Sequence, residues 1–468
     1  MVYRIINKLT LSITAALFLI FLQGNAQSEN RPNIIILFAD DLGYRDLSCY
    51  GSLQTVTPVL DKMASEGIRF TDFYAGSAVC SPSRASLLTG RSSLRAGFYS
   101  WIHPTQKMHL RREEITIAEL LKNNGYATAH IGKWHLSYDL VKGSGPQPNP
   151  KDQGFDYWMA TDNNAYPSHA NPENFIRNGT RVGTTKGYSS QLIVDEAIRW
   201  LDNSMDRTQP FYLNLWFHEP HKPFASPPEI RQRHLNTSNP DYYGSIESMD
   251  QAIGKLFVKL KEINEMDNTL IIFMSDNGSL MRRQGSNGEL KEGKASIWEG
   301  GIRVPGIIKW TGKVRPGTIE HTPVGVVDVL PTLCDITETE LPKDRIIDGV
   351  SLLPLINGDD LTRDKPLYWF YASSRPIVSI RDGDLSLVAN PELDIPQDNL
   401  FNEEWIGLVK TSRLTHFRLF NLINDPGQNF ELKASDYPED FESMKMKLIQ
   451  LHGEIVNEAL DWRKFEWD

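Results

Sequence analysis

The chain has 468 residues, 40% hydrophobic and 23% charged, an ordinary composition that excludes collagen-like, coiled-coil and broadly disordered architectures. Lys and Arg total 49 against 59 Asp and Glu, for a formal net charge of -10. That balance speaks against a nucleic-acid binder but leaves room for an anionic substrate in a local basic pocket.

The N-terminus reads as a targeting segment. Arg4 and Lys8 precede the apolar run Leu9–Leu22, and Gly24-Asn25-Ala26 follows as a small-x-small cleavage site. This is the pattern of a secretory signal peptide over 1–26, and the run falls short of the ~20 residues that span a bilayer. The expectation is a mature chain starting near Gln27, periplasmic or secreted, with no stable membrane insertion. Three cysteines, an odd number, are too few for a disulfide framework.

Four apolar runs then end in polar residues. Asn33–Phe38 leads to Asp40-Asp41, and Tyr126–Ile131 to Gly132-Lys133-Trp134-His135. Phe211–Phe217 leads to His218, and Thr269–Met274 to Ser275-Asp276-Asn277. Their length and β-branched or aromatic content predict buried strands. Helical patterns lie between them: one opened by Thr57-Pro58 and closed by Gly67, one over Ser189–Ser204, one over Ser245–Glu265. Alternation of this kind predicts an α/β fold with a large, mostly parallel sheet sandwiched by helices, and ligands at the carboxyl ends of its strands. Ser168–Gln191, polar and rich in Gly and Asn, reads as a surface excursion. Leu341–Arg363, with Pro342, Gly349, Pro354 and Gly358, reads as a boundary. Short strands at Leu367–Tyr371, Ile377–Ile380, Ser386–Ala389 and His416–Leu422, then a helix near Tyr437–Trp462, predict a smaller antiparallel sheet with a terminal helix. The expected units are a catalytic domain over 27–355 and a C-terminal subdomain over 356–468.

Cys80-Ser81-Pro82-Ser83-Arg84, continuing to Gly90-Arg91, is the most informative stretch. Ser-Pro-Ser opens a short helix and Gly90 ends it, so Cys80 lies just before a helix N-terminus, where free N–H groups favour an anion. Arg84 follows one turn later. A lone cysteine is more often a buried structural residue; the surrounding pattern is what singles this one out.

With these residues on the page, the sequence resembles the type I, formylglycine-dependent sulfatases of the alkaline phosphatase superfamily. The resemblance also rests on Ala39-Asp40-Asp41-Leu42-Gly43-Tyr44, Gly132-Lys133-Trp134-His135-Leu136, Ser275-Asp276-Asn277-Gly278, Gly285-Ser286-Asn287-Gly288, Gly293-Lys294 and Trp298–Pro305. It implies an alkaline-phosphatase-like fold and a carbohydrate sulfatase of the kind that polysaccharide-degrading bacteria export, acting on glycosaminoglycan or algal fragments. It also implies oxidation of Cys80 to Cα-formylglycine by a maturation enzyme. A thiol attacking sulfate would leave a stable adduct, whereas an aldehyde hydrate has one hydroxyl to attack sulfur and a second to expel sulfate.

Alone, Asp40-Asp41 reads as a cap or turn and Asp276-Asn277-Gly278 as a turn. Paired across two strands and matching the family, Asp40, Asp41, Asp276 and Asn277 read as metal ligands, with Cys80 completing the set. Oxygen donors select a hard cation, Ca²⁺ before Mg²⁺. The resemblance gives Arg84, Lys133 and Lys294 the sulfate charge, His135 a proton-accepting role in release, and His218 the role of acid for the leaving alcohol, shared with Lys294. His221 and Lys222 line the pocket or shape its loop. Trp101, His103, Asp162, Asn163, Arg282 and Arg283 are rim candidates, and Arg45 stands where the family has glycine. The competing readings are a phosphoesterase or phosphonate hydrolase on the same scaffold, and an inactive sulfated-glycan-binding protein.

Overall fold

The computed structural model describes residues 31–467 except 204–205, 207, 281–285, 374–375 and 397–399. The targeting segment, Arg282 and Arg283 lie outside the described residues. The large sheet has 11 strands: β1 (Asn33–Ala39), β2 (Ile68–Tyr74), β3 (Ala127–Lys133), β4 (Tyr157–Thr161), β5 (Ile176–Arg177), β6 (Thr180–Arg181), β7 (Phe211–Trp216), β8 (Thr269–Ser275), β9 (Arg303–Lys309), β10 (Thr318–Glu320) and β11 (Val324–Gly325). Its order is β10-β2-β9-β8-β1-β7-β3-β4-β5-β6, with β11 against β2. The centre β8-β1-β7-β3-β4 is parallel; β9 runs antiparallel to both β8 and β2.

Period-two alternation decides which side chain meets which layer. In β1, Ile34, Ile36 and Phe38 enter one core, and Ile35, Leu37 and Ala39 the other. Helices α1 (Pro58–Ser65), α3 (Ser189–Asn203) and α4 (Pro240–Glu262) cover the second face. Helix α2 (Cys80–Thr89) packs on the first through Ala85, Leu87 and Leu88. The smaller sheet, β12 (Leu367–Tyr371), β13 (Ile377–Asp382), β14 (Leu385–Pro391) and β15 (Leu414–Asn421), is antiparallel throughout and followed by α5 (Pro438–Glu458). Its Val378, Ile380 and Leu387 and the helix's Leu448 and Ile455 continue the first core.

Several boundaries differ from the sequence reading for identifiable reasons. Thr57 does not cap α1: its hydroxyl bonds Ser48 and Asp61. The Asp250 carboxylate, from α4, accepts the Val59 and Leu60 N–H groups instead, at 3.1 and 2.8 Å. Gly67 does not end the helix either. Glu66 is the C-cap, and Gly67 is small because a Cβ there would collide with the Ile308 carbonyl of β9. Helix α4 begins five residues earlier than Ser245, at Pro240, with the Asn239 side chain accepting the Tyr242 N–H. The excursion at 168–191 contains the short β5–β6 pair and the start of α3.

Candidate active site

Strands β1 and β8 pair in parallel with Ala39 opposite Ser275, so the residues that follow them emerge side by side. Asp276 N–H donates to the Ala39 carbonyl (3.1 Å), and Asp41 N–H to Asp276 Oδ1 (3.0 Å). Asp41 has φ 64°, a left-handed conformation unusual for a non-glycine residue and held here by these bonds. Cys80 is the first residue of α2, not the one before it, with extended Val79 as N-cap and Gly90 (φ 65°) as C-cap. Its Sγ lies 3.5 Å from Asp40 Oδ1 and 3.3 Å from Lys294 Nζ.

Three cations converge on the same carboxylates. Arg84 Nη2 is 2.7 Å from Asp276 Oδ2 and 3.4 Å from Asp40 Oδ1, its guanidinium covering the Trp216 and Phe38 rings. Lys133 Nζ is 2.8 Å from Asp40 Oδ2, and Lys294 Nζ is 2.6 Å from Asp41 Oδ1. The structure thus gathers Asp40, Asp41, Cys80, Arg84, Lys133, Asp276, Asn277 and Lys294 at one crevice.

Burial and neighbouring charge compete in the titration of this cluster. It pushes the Cys80 thiol up, against the pull of Lys133 and Lys294, so the thiol itself is a poor nucleophile. Burial also raises Asp40, yet Lys133, His221, Arg84 and Lys294 outweigh it and hold that carboxyl well below the usual range. Asp276 moves the other way, raised by burial and by the neighbouring charge of Asp40, as expected of carboxylates sharing a site. Lys294 stays cationic: burial is outweighed by Asp41, Cys80 and Asp40.

The histidines separate by their partners. His135 has φ 51°; its Nε2 lies 3.3 Å from the Ile102 carbonyl, and Nδ1 is buried without a partner. Burial, then Lys133 and Arg84, hold its pKa well below the ordinary value, so the ring is neutral. His218 does not offer a nitrogen to the crevice. Its Nε2 is 2.7 Å from Thr161 Oγ1 and its Nδ1 2.6 Å from Ser189 Oγ, so the structure does not bring it together with the other expected catalytic side chains. His221, three residues on, faces the carboxylate cluster: Nε2 lies 3.5 Å from Asp41 Oδ2, while Nδ1 meets the Lys222 carbonyl at 2.5 Å.

Asn164 escaped the sequence reading altogether. Its Oδ1 accepts from Lys133 Nζ at 3.0 Å, and only its place one residue after the flagged Asp162-Asn163 pair signalled it. Tyr138 was also missed; its hydroxyl is 3.1 Å from the Ile102 carbonyl and 3.5 Å from His135 Nε2. His130 is a core residue among Trp134, Phe155 and Trp216.

The donors suit a hard cation. Asn277 Oδ1 is buried without a partner, while its Nδ2 donates to Asp41 Oδ1 at 2.7 Å. Ligand atoms of Asp40, Asp41, Cys80 and His221 lie within 4.8 Å of one another. Carboxylate oxygens plus an orphaned amide oxygen are the donor chemistry of Ca²⁺ or Mg²⁺.

Residues 32–339 match the sulfatase family. The chain belongs to the sulfatase family. It is 33% identical to N-acetylgalactosamine-6-sulfatase of Canis lupus familiaris over 92% of this chain and 88% of that protein. With human arylsulfatase A it shares 31% identity over 88% and 86% of the two chains. Among solved structures, Ps i-CgsB in complex with k-i-k-neocarrahexaose superposes with a TM-score of 0.80 at 26% identity, covering 94% of this chain and 95% of that one. This sulfatase is accordingly a hydrolase of sulfate esters.

Proposed function

We propose that this sulfatase is an exported enzyme that removes sulfate from a sulfated carbohydrate, with Cys80 matured to formylglycine by a separate enzyme and a bound Ca²⁺. The observation that carries the reading is the approach of Cys80 Sγ to Lys294 and Asp40, within 3.3 and 3.5 Å, inside a ring of three cations. Relatives support the substrate class: one is named for a sulfated amino sugar and another was solved with a hexaose.

Asp40, Asp41, Asp276 and Asn277 would hold the cation. The hydrated aldehyde would supply the oxygen nucleophile, and the cation the charge that polarises a sulfate oxygen. The chain's own residues do the rest. Lys133, Arg84 and Lys294 bind and orient the sulfate group. His135 accepts a proton at Nδ1 in the release step. Lys294, which remains protonated, and His221 at Nε2 serve the leaving oxygen.

The test is a screen of defined sulfated mono- and oligosaccharides for released inorganic sulfate, run beside the phosphate analogue of each hit. Sulfate release from sugars supports the proposal. A strong preference for the phosphate ester would replace it with the phosphoesterase reading, and binding without turnover by protein carrying formylglycine would replace it with the glycan-binding one.

A further inference from the structure

Lys294 reaches the crevice on a loop, whereas Lys133 stands at the end of a strand, so the place of the Lys294 ammonium depends on what holds that loop. Lys294 N–H donates to the Ser279 carbonyl at 3.2 Å, and Ala295 N–H to the Ala78 carbonyl at 2.9 Å. Glu292 and Ala295, on either side of the lysine, both have φ 63°, a left-handed conformation that non-glycine residues keep only under restraint from their surroundings. Gly300 N–H donates to the Lys291 carbonyl at 2.8 Å and closes the loop at its neck. A helical turn, Glu299–Ile302, starts there, and its N-cap Trp298 supplies no side-chain acceptor.

Gln428 supplies that acceptor from the C-terminal segment, 129 residues further on. Its Oε1 accepts the Glu299 N–H at 3.0 Å, an assignment fixed because a main-chain N–H can only donate. Its main-chain carbonyl accepts from Lys291 Nζ at 3.2 Å, and its Nε2 donates to Ser386 Oγ of β14 at 3.2 Å. One residue, 1% exposed, thus ties both sides of the neck to the smaller sheet. We propose that Gln428 is a positioning residue for Lys294, through which the C-terminal sheet sets where that ammonium stands. The reaction needs Lys294 Nζ beside Asp41 Oδ1 and Cys80 Sγ, 2.6 and 3.3 Å away, and a loop free to shift by about 1 Å would spoil that placement. The inference rests on the role given to Lys294 above.

Gln428→Leu removes both amide contacts at similar volume. Gln428→Glu keeps an oxygen to accept the Glu299 N–H, and Ser386→Ala cuts only the anchor to β14. The measurement is kcat for sulfate release from 4-nitrophenyl sulfate and from a monosulfated hexosamine, at a temperature where melting curves show every variant folded. Gln428→Leu should fall by about tenfold to a hundredfold, the range for a catalytic group misplaced by about 1 Å. Ser386→Ala should fall less, and Gln428→Glu should regain most of the rate. In a Lys294→Ala background, Gln428→Leu should cost no further activity, because two changes acting through one contact do not add. Wild-type kcat in both Gln428→Leu and Ser386→Ala would overturn the assignment. So would a fall in Gln428→Glu as deep as in Gln428→Leu, or an equal loss with and without Lys294; each would make Gln428 a packing residue only. Wild-type kcat in Lys294→Ala alone would show that the role given to Lys294 has failed, leaving nothing to position. A wild-type enzyme that cleaves only the aryl ester would defeat the carbohydrate reading while leaving the Gln428 comparison intact.

Discussion

Arg84 and Asp276 meet through a 2.7 Å ion pair with neither side chain exposed to solvent. One comes from the second turn of α2 and the other from the loop after β8, so the pair joins the segment carrying Cys80 to the segment carrying two of the cation-ligand candidates. Removing the guanidinium would strip Asp276 of its ion pair, leave Asp40 with Lys133, and empty the space over Trp216. Arg84→Ala should cost about 3–5 kcal/mol of stability, the range for breaking a buried pair. Arg84→Lys keeps the charge but not the planar fork; it should fold and still lose at least about a hundredfold in kcat. Thermal melts and sulfate release separate the two effects.

Cys80 packs at a helix start and, among the described residues, makes two polar contacts through sulfur. Cys80→Ala should therefore leave the melting temperature close to wild type while abolishing turnover. Peptide mass spectrometry across 80–91 should find an aldehyde in place of the thiol in enzyme from a host with the maturation activity. Active enzyme carrying only the thiol would contradict the formylglycine assignment.

Cation removal should inactivate the enzyme reversibly. Ca²⁺ restored at about 100 times its Kd should stabilise the fold by about 2.7 kcal/mol if it binds only the native state. Asp41→Asn should reduce that stabilisation, measured by calorimetry in chelator and in Ca²⁺. Equal melting curves with and without the ion would remove these residues as its ligands.

The two neighbouring histidines should behave differently. His221→Gln should lower kcat by about a hundredfold or more on a sugar sulfate, whose alcohol leaves poorly, and much less on an aryl sulfate, whose phenol leaves well. His218→Gln breaks bonds to Thr161 and Ser189 and should lower thermal stability, with no such leaving-group dependence. Leaving-group dependence in the His218 variant instead would restore that residue as the acid.

His452 gives the fold a measurable acid sensitivity away from the active site. It is buried on α5 with Nδ1 2.9 Å from the Tyr368 hydroxyl and its ring beside Phe370. Burial lowers its pKa to about 4, below the ~6.5 of an unfolded chain. A depressed folded-state pKa means that the unfolded state binds the proton more readily. Its stabilising contribution is complete above pH ~6.5 and is lost as pH falls toward about 4, amounting to about 2 kcal/mol at pH 5. His452→Gln should flatten the decline of stability between pH 7 and 5, read from denaturant melts at each pH. A decline equal to wild type would show that His452 does not titrate on unfolding.

The strands and their terminal residues were legible because burial on both faces of a parallel sheet requires continuous apolar runs, and each run stops where the chain meets solvent or ligand. Asp40, Asp276 and Lys133 were therefore readable as strand-end residues, and Cys80 as standing at a helix start with Arg84 one turn later. The same rule could not show which groups His218 meets. It is the first polar residue after its run, yet Thr161 and Ser189 take both its nitrogens.

By itself, the sequence determined the α/β layering, the edge of the sheet that carries the chemistry, and the types of group delivered there. Periodicity and motif spacing are local properties of a chain, and these features depend on little else. Tertiary structure alone decided that His221 rather than His218 faces Asp41, that Asn164 holds Lys133, and that Asp250 caps α1 from another helix. Each of those outcomes depends on which atoms from distant segments reach hydrogen-bonding distance first, and that competition is settled only when the layers pack.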